Sequence, residues 1–433
     1  MPATQTQATR LLELLPRLEH AVLEEKRPAD QVFAEICRAH REWGARDRRL
    51  FGDALFACFR WRGWLMGQTP AAQLALAGWL DGLGQLALRQ LAEQAGLNLP
   101  VATPDALEEK ARALSALLRA EKTPEQLVPE WTLPLLVGDV HRHREAFQHR
   151  PPVWLRVTPE QVPAVLAFFN QKTPRTTVHQ RVPGAVAVTP PADLQGLRAA
   201  TGVAAIVQDL ASQVVGLLCA PRPGEAWWDV CAGAGGKTLH LAAQMQNRGS
   251  ILATDVRVGA LRELEKRVAA AGVTIVRTRK EGRGAGDEGR VLKDEGRGGT
   301  GSGALATRHS SLVPFDGVLV DAPCSGIGTW NRNPDMRWRT AAADVAAKAA
   351  VQREVLARAA RGVRPGGVLV YAVCTVTAAE TMDVAGEFGR SHPDFAAEPV
   401  AHSLTGERQA GNFWIWPWAG PCDGMFCARW RRG

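Results

Sequence analysis

The sequence predicts an α/β fold: a doubly wound, mostly parallel sheet in the C-terminal half, preceded by a small α/β domain and an all-α N-terminal domain. Three observations predict it. From about residue 224 onward, short apolar runs alternate with helical stretches, the pattern of parallel strands covered on both faces by helices. The first hundred-odd residues carry apolar positions at a helical period. Between the two lies a stretch of mixed patterning that opens clearly at Pro151-Pro152. The boundaries read as 1–125, 126–220 and 221–433.

In the α domain, Leu11, Leu15, Leu18 and Val22 recur at steps of four, three and four, one stripe of a helix. Pro28 suits a first helical turn, and Val32, Phe33 and Ile36 give the next apolar face, which Gly44 is expected to stop. A third helix runs from Arg46-Asp47-Arg48-Arg49 through Leu50, Leu55, Phe56 and Phe59 to Arg60 and Arg62. In the middle domain, Val153 to Val157 reads as a strand, Val162 to Phe169 as a helix and Gly184 to Val188 as extended.

The alternation then begins. Strands are expected over Ala226–Val230, Ser250–Thr254, Val273–Val276, Phe315–Val320 and Val368–Ala372. Helices are expected over Thr238–Met245, through Leu261, Leu264, Val268 and Ala271, and over Val345–Ala360. Residues 279–309 are dense in Gly, Arg, Glu and Ser. Such a composition buries too little apolar surface to order itself, so a disordered insertion is expected between the third and fourth strands.

Composition narrows the function classes. A chain of 433 residues holds two or three domains at about 150 residues each. A formal charge of +8 favours polyanionic partners such as nucleic acid. No apolar run reaches the ~18 residues that a bilayer demands, and the N-terminus lacks a secretory layout, so a cytoplasmic chain without a membrane partner is expected. No obligate protein partner is evident. The eight cysteines are scattered, and Cys422 and Cys427 have no second pair or histidine couple nearby, so no zinc site or other metal site is expected. That leaves packing or chemistry for the thiols.

The first chemical motif follows strand one: Cys231-Ala232-Gly233-Ala234-Gly235-Gly236-Lys237-Thr238. Glycines between a strand and a helix let backbone amides approach a ligand at the helix N-terminus. The loop departs at its first position from the Gly, four residues, Gly-Lys-Ser/Thr pattern of triphosphate sites. Asp255, twenty residues beyond Gly235, is placed to bind ribose hydroxyls, so an adenosine-containing cofactor is indicated. Both NAD and S-adenosylmethionine meet that demand.

The fourth and fifth strands narrow the choice. They end in Asp321-Ala322-Pro323-Cys324-Ser325-Gly326-Ile327-Gly328 and in Tyr371-Ala372-Val373-Cys374-Thr375. Two thiols and a carboxylate thus reach the sheet edge that carries the glycine loop.

On these residues, together with Arg332-Asn333-Pro334-Asp335, Gln208-Asp209-Leu210-Ala211-Ser212 and Asp423-Gly424-Met425-Phe426, the chain from about residue 125 resembles the S-adenosylmethionine-dependent RNA cytosine-5 methyltransferases. That group includes the bacterial Sun/Fmu-type ribosomal RNA enzymes and the NOL1/NOP2/Sun proteins. The helical N-terminus, with Arg46-Asp47-Arg48, resembles the NusB-like RNA-binding domain of the bacterial branch. The resemblance implies a Rossmann-like class I methyltransferase domain, S-adenosylmethionine as cofactor and RNA as partner. Small-subunit 16S ribosomal RNA is favoured as substrate over transfer RNA.

The resemblance also implies roles. Cys374 would attack carbon 6 of cytosine, Asp321 would bind ring nitrogen 3 beside the cofactor, and Cys324 would assist loss of the carbon 5 proton. Cys231 through Lys237 would wrap the methionine and ribose, Asp255 the ribose hydroxyls, and Glu281 the adenine edge, where relatives have Asp. Ala234 for Pro, Ala260 for Arg and Thr158 for Asn are further departures. Two other readings compete. A nitrogen methyltransferase would carry an aromatic residue where Cys324 stands, and an RNA-binding ribosome-assembly factor would retain the fold without chemistry.

Overall fold

In the computed structural model the described residues are 3–171, 175–190, 192–281 and 314–433. They form two compact units. The first comprises Met1–Pro151 with Ser325–Val345 and Val376–Ala378; the second comprises Pro152–Cys324, Ala346–Thr375 and Ala379–Gly433.

The first unit is helical: α1 (Ala3–Leu23), α2 (Ala29–Ala39), α3 (Ala45–Leu65), α4 (Pro70–Leu80), α5 (Leu86–Gln94), α6 (Leu107–Leu118) and α7 (Val140–Gln148). The stripe Leu11, Leu15, Leu18 and Val22 is fully buried, as its period requires. Pro28 lies at the N-cap of α2. Gly44 does not stop that helix; α2 ends at Ala39, and Gly44 is the N-cap of α3. The stretch 126–151, expected in the small mixed domain, clusters with the helices instead.

The segment Ser325–Val345 also belongs to this unit, and its anchor is Arg337. That guanidinium is 0% exposed. It donates to the carbonyls of Leu127 at 2.7 Å, Phe147 at 3.1 Å and Arg60 at 3.2 Å. The rings of Phe147 and Trp330 each lie 5.7 Å away. Burial without a carboxylate partner pulls its pKa down to about 9. Nearby, Trp338 Nε1 donates to the Phe59 carbonyl at 2.7 Å, and Asp335 accepts from the Ala29 amide at 3.1 Å.

The second unit opens with a four-stranded antiparallel sheet made of β1 (Val153–Arg156), β2 (Thr176–Val178), β3 (Ala185–Val188) and β4 (Ile206–Val207), in the order β2-β3-β1-β4. Helices α8 (Val162–Phe169) and α9 (Leu194–Thr201) pack on it. Then follow α10 (Leu210–Cys219), β5 (Ala226–Asp229), α11 (Gly236–Gln244), β6 (Ser250–Asp255), α12 (Val258–Ala270), β7 (Val276–Lys280), β8 (Phe315–Asp321), α13 (Met336–Arg339), α14 (Ala342–Ala360), β9 (Val363–Val373), α15 (Met382–Ser391), β10 (Phe395–Ala397), β11 (Val400–Ala401), β12 (Arg408–Gln409), β13 (Asn412–Ile415) and β14 (Met425–Arg432). Of these, α13 lies in the segment that clusters with the helical unit.

The main sheet runs β10-β14-β9-β8-β5-β6-β7, with β13 also on β14. The five strands β5 to β9 are parallel and β14 is antiparallel to β9, so the sheet is mostly parallel as predicted.

The third predicted strand is displaced. Gly272 turns at φ +64° after α12, and pairing with β6 starts only at Val276, opposite Ile251. Among the described residues strand β7 is the sheet edge, and its Arg277 and Lys280 are exposed there. Arg279 and Lys280, expected in the insertion, are its last residues. Residues 282–309 of that insertion lie outside the described residues. Among the described residues no helix is long and apolar enough to cross a membrane.

Candidate active site

Parallel strands deliver their C-termini to one sheet edge, and the predicted site residues all end or follow β5, β6, β7, β8 or β9. After β5 the chain turns through Gly233 at φ +55° and Gly235 at φ +83° before α11 begins. A Cβ at Gly235 would collide with Leu264 of α12, so close packing as well as conformation demands glycine there. Gly236 faces open space.

Asp255, at the end of β6, holds this loop. Its carboxylate accepts from the Gly233 amide at 2.9 Å and pairs with Arg257 at 3.0 Å. Burial works against its ionisation, but Arg257 and the Gly233 amide keep the carboxyl below its ordinary value. Arg257 carried no signal in the sequence.

Asp229 lies beneath the loop and is 1% exposed. Its Oδ2 accepts from Thr238 Oγ1 at 2.7 Å, while Oδ1 has no hydrogen-bond partner. Burial pushes this carboxyl up to about 7. Burial and the surrounding carboxylates push the Cys231 thiol up as well. Ala232 donates its amide to the Thr254 carbonyl at 2.9 Å, and the Ala234 carbonyl accepts from Arg267 at 2.8 Å.

Glu281 follows β7. It accepts from Thr254 Oγ1 at 3.1 Å and is paired with Arg358 of α14, a partner not foreseen. Lys237, from the first turn of α11, pairs with Asp321 at 2.6 Å. Burial would lower the ammonium, but Asp321 and the neighbouring Cys374 and Asp229 hold it above its ordinary pKa.

The two thiols meet. Cys324 Sγ lies 3.3 Å from Cys374 Sγ. All eight cysteines are free, and both of these are half-buried. The hydrogen bond to Cys324, burial, and the charges of Asp321 and Asp423 push the Cys374 thiol well up, so at rest it carries its proton. A cavity of about 870 Å³ in the helical unit, lined by Trp79, Lys110 and Arg150 among others, contains none of these residues. Among the described residues no group of three or more His, Cys, Asp or Glu is arranged to hold a metal ion.

The profile of the 16S rRNA methyltransferase RsmB/F family matches residues 216–431. MT1451 of Mycobacterium tuberculosis is 36% identical over 307 residues, covering 68% of this chain and 60% of that protein. Ribosomal RNA small subunit methyltransferase B of Pasteurella multocida is 28% identical over 329 residues, covering 73% and 68%. The chain thus spans about 60% of the length of the first of these relatives.

Among solved structures, PH0851 is similar over 98% of both chains with a TM-score of 0.67 at 22% identity. NSun6 from Pyrococcus horikoshii with SFG matches 67% of this chain and 94% of its own at TM-score 0.51 and 16% identity. These likenesses, with the sheet order above, show a Rossmann-like class I methyltransferase fold. A chain that carries this profile from α10 to β14, on this fold and beside these relatives, belongs to the 16S rRNA methyltransferase RsmB/F family.

Proposed function

We propose that the chain transfers a methyl group from S-adenosylmethionine to carbon 5 of a cytosine in RNA, with 16S ribosomal RNA as substrate. The observation that carries the reading is the pair of sulfur atoms 3.3 Å apart beside Asp321 and the glycine loop. Carbon 5 of cytosine is a poor nucleophile until a thiolate adds at carbon 6, so a methyltransferase with this target needs a covalent nucleophile and a base. Family membership and the relatives named for small-subunit ribosomal RNA favour that substrate. The excess of basic residues suits a polyanion.

The residues present fit the cofactor. Turns at Gly233 and Gly235 leave the α11 N-terminus open, and carboxylates end or follow β6 and β7 where hydroxyl and amine groups need acceptors. Cys231 through Lys237, Asp255 and Glu281 would hold it. Bound there, it supplies a methyl on a sulfonium whose C–S electron pair stays on sulfur when carbon 5 takes the methyl.

The chain's own groups do the rest. Cys374 sulfur bonds to carbon 6 as its proton leaves and ring nitrogen 3 gains one, so the addition is proton-balanced. Asp321, fixed by Lys237, hydrogen-bonds nitrogen 3. Cys374 is among the charges that hold Lys237 protonated, so the ammonium in turn favours the thiolate. Cys324, once its own proton has passed to solvent, takes the carbon 5 proton. The C5–C6 double bond re-forms, and the C6–S bond breaks with its electron pair on Cys374, which regains the proton that nitrogen 3 gives up.

The test is a pair of variants on a transcript panel that includes 16S fragments and transfer RNAs. Cys374→Ala is expected to abolish both 5-methylcytosine and the covalent RNA complex. Cys324→Ala is expected to accumulate an adduct that survives denaturant. Reversed phenotypes would exchange the two roles, and no 5-methylcytosine from the unaltered protein on any transcript would overturn the reading.

A further inference from the structure

One buried cluster takes no part in the chemistry above, yet it joins the loops that carry both thiols. Its side chains are Gln352, Tyr371, Thr375 and Glu380, each 0% exposed. Gln352 Nε2 donates to the carbonyl of Pro323, the residue before Cys324, at 3.0 Å, and to Glu380 Oε1 at 3.1 Å. The second carboxylate oxygen, Glu380 Oε2, accepts from the hydroxyl of Thr375, the residue after Cys374, at 3.0 Å. The only tyrosine of the chain closes the cluster: its hydroxyl lies 2.7 Å from the Glu380 carbonyl and 3.1 Å from Gln352 Oε1. Burial keeps that hydroxyl protonated and therefore a donor.

Both amide protons of Gln352 are thus committed, one to each side of the site. A carboxylate and an amide are poor filling for a hydrophobic layer, since each must find partners or cost free energy. A fully connected polar cluster admits few alternative arrangements, whereas an apolar one would slide. We propose that Gln352 and Glu380 are positioning residues: they form a strut between the Pro323–Cys324 and Cys374–Thr375 loops that sets the distance between the two sulfurs. Their hydrogen bonds run to Pro323, Tyr371 and Thr375, the neighbours of the sulfur-bearing residues and the tyrosine of the cluster. Their place in catalysis rests on the function proposed above, but the strut itself is a statement about thiol geometry.

The experiment therefore reads thiol geometry without RNA or methyl donor. Phenylarsine oxide bridges two thiols that lie within a few ångströms, and Cys324→Ser identifies the part of its binding owed to this pair. Gln352→Met is expected to weaken that binding by about tenfold or more. Glu380→Gln, which keeps size and polarity, is expected to retain more of it than Glu380→Ala. In methylation assays Gln352→Met is expected to lower kcat by roughly ten- to a hundredfold at nearly constant KM for RNA, the cost of a misplaced reacting group. Should Gln352→Met fail to fold, Thr375→Val and Tyr371→Phe each remove one link and carry the same test. Folded variants with arsenical affinity equal to that of the unaltered protein would overturn the strut. Weakened affinity alongside an unaltered protein that methylates no RNA would leave the strut standing and overturn the functional reading instead.

Discussion

Replacing Asp229 by asparagine tests the electrostatics beneath the glycine loop. The carboxyl is buried, accepts one hydrogen bond from Thr238 and leaves Oδ1 unpartnered, and burial moves its pKa from an ordinary 3.8 up to about 7. A folded-state pKa above the unfolded one means that the stability linked to this proton is complete below about pH 4 and is lost as pH rises through about 7. Sustaining the charge at pH 8 therefore costs the native state about 4 kcal/mol at most, at 1.36 kcal/mol per pH unit. Asp229→Asn keeps the shape and the oxygen that Thr238 needs, and cannot ionise. Relative to the unaltered protein it should gain about 2 to 4 kcal/mol between pH 4 and pH 8. Paired denaturant titrations across that range measure this difference, in which the other titrating groups cancel. A difference that stays flat from pH 5 to pH 8 would refute the reasoning, since it would mean that the carboxyl ionises in the fold as readily as outside it.

Two further expectations follow from other buried charges. Arg337→Met should strip hydrogen bonds from the carbonyls of Arg60, Leu127 and Phe147 and destabilise the helical unit by about 3 kcal/mol or more. Hydrogen exchange should show faster opening of α3 and α7 with α11 and α12 unchanged, and equal protection throughout would contradict it. Asp255→Asn should weaken S-adenosylmethionine by about tenfold or more, through loss of the charge and of one of the two acceptor oxygens that Gly233 and Arg257 share, while RNA association persists. Calorimetry with undiminished affinity would remove Asp255 from the cofactor site.

Much of this molecule was legible in one dimension. Strands β5, β6 and β8 are continuous apolar runs because helices cover both their faces, and such runs need no tertiary information to be recognised. The carboxyl-edge rule then brings Asp255, Asp321, Cys324 and Cys374 together, because each stands at or just beyond the end of a strand. The glycines of the Cys231–Thr238 loop announce a strand-to-helix turn by their own conformational freedom.

What the tertiary structure alone decided depends on contacts between residues far apart in the chain. Strand β7 runs through Arg277, Arg279 and Lys280, which read as loop until the sheet makes them an edge. The antiparallel β14 enters between β9 and β10 and pairs with residues 33 to 63 positions upstream, as in the pairing of Trp430 with Leu369. Arg337 carries no signal in the sequence, and the carbonyls that receive it come from residues 60, 127 and 147. Gln352 and Glu380, ordinary polar residues of α14 and of the turn before α15, become a bridge only when two loops are folded against them. Periodicity and strand ends are local properties and survive in sequence; the partner of a buried charge is a property of the folded chain.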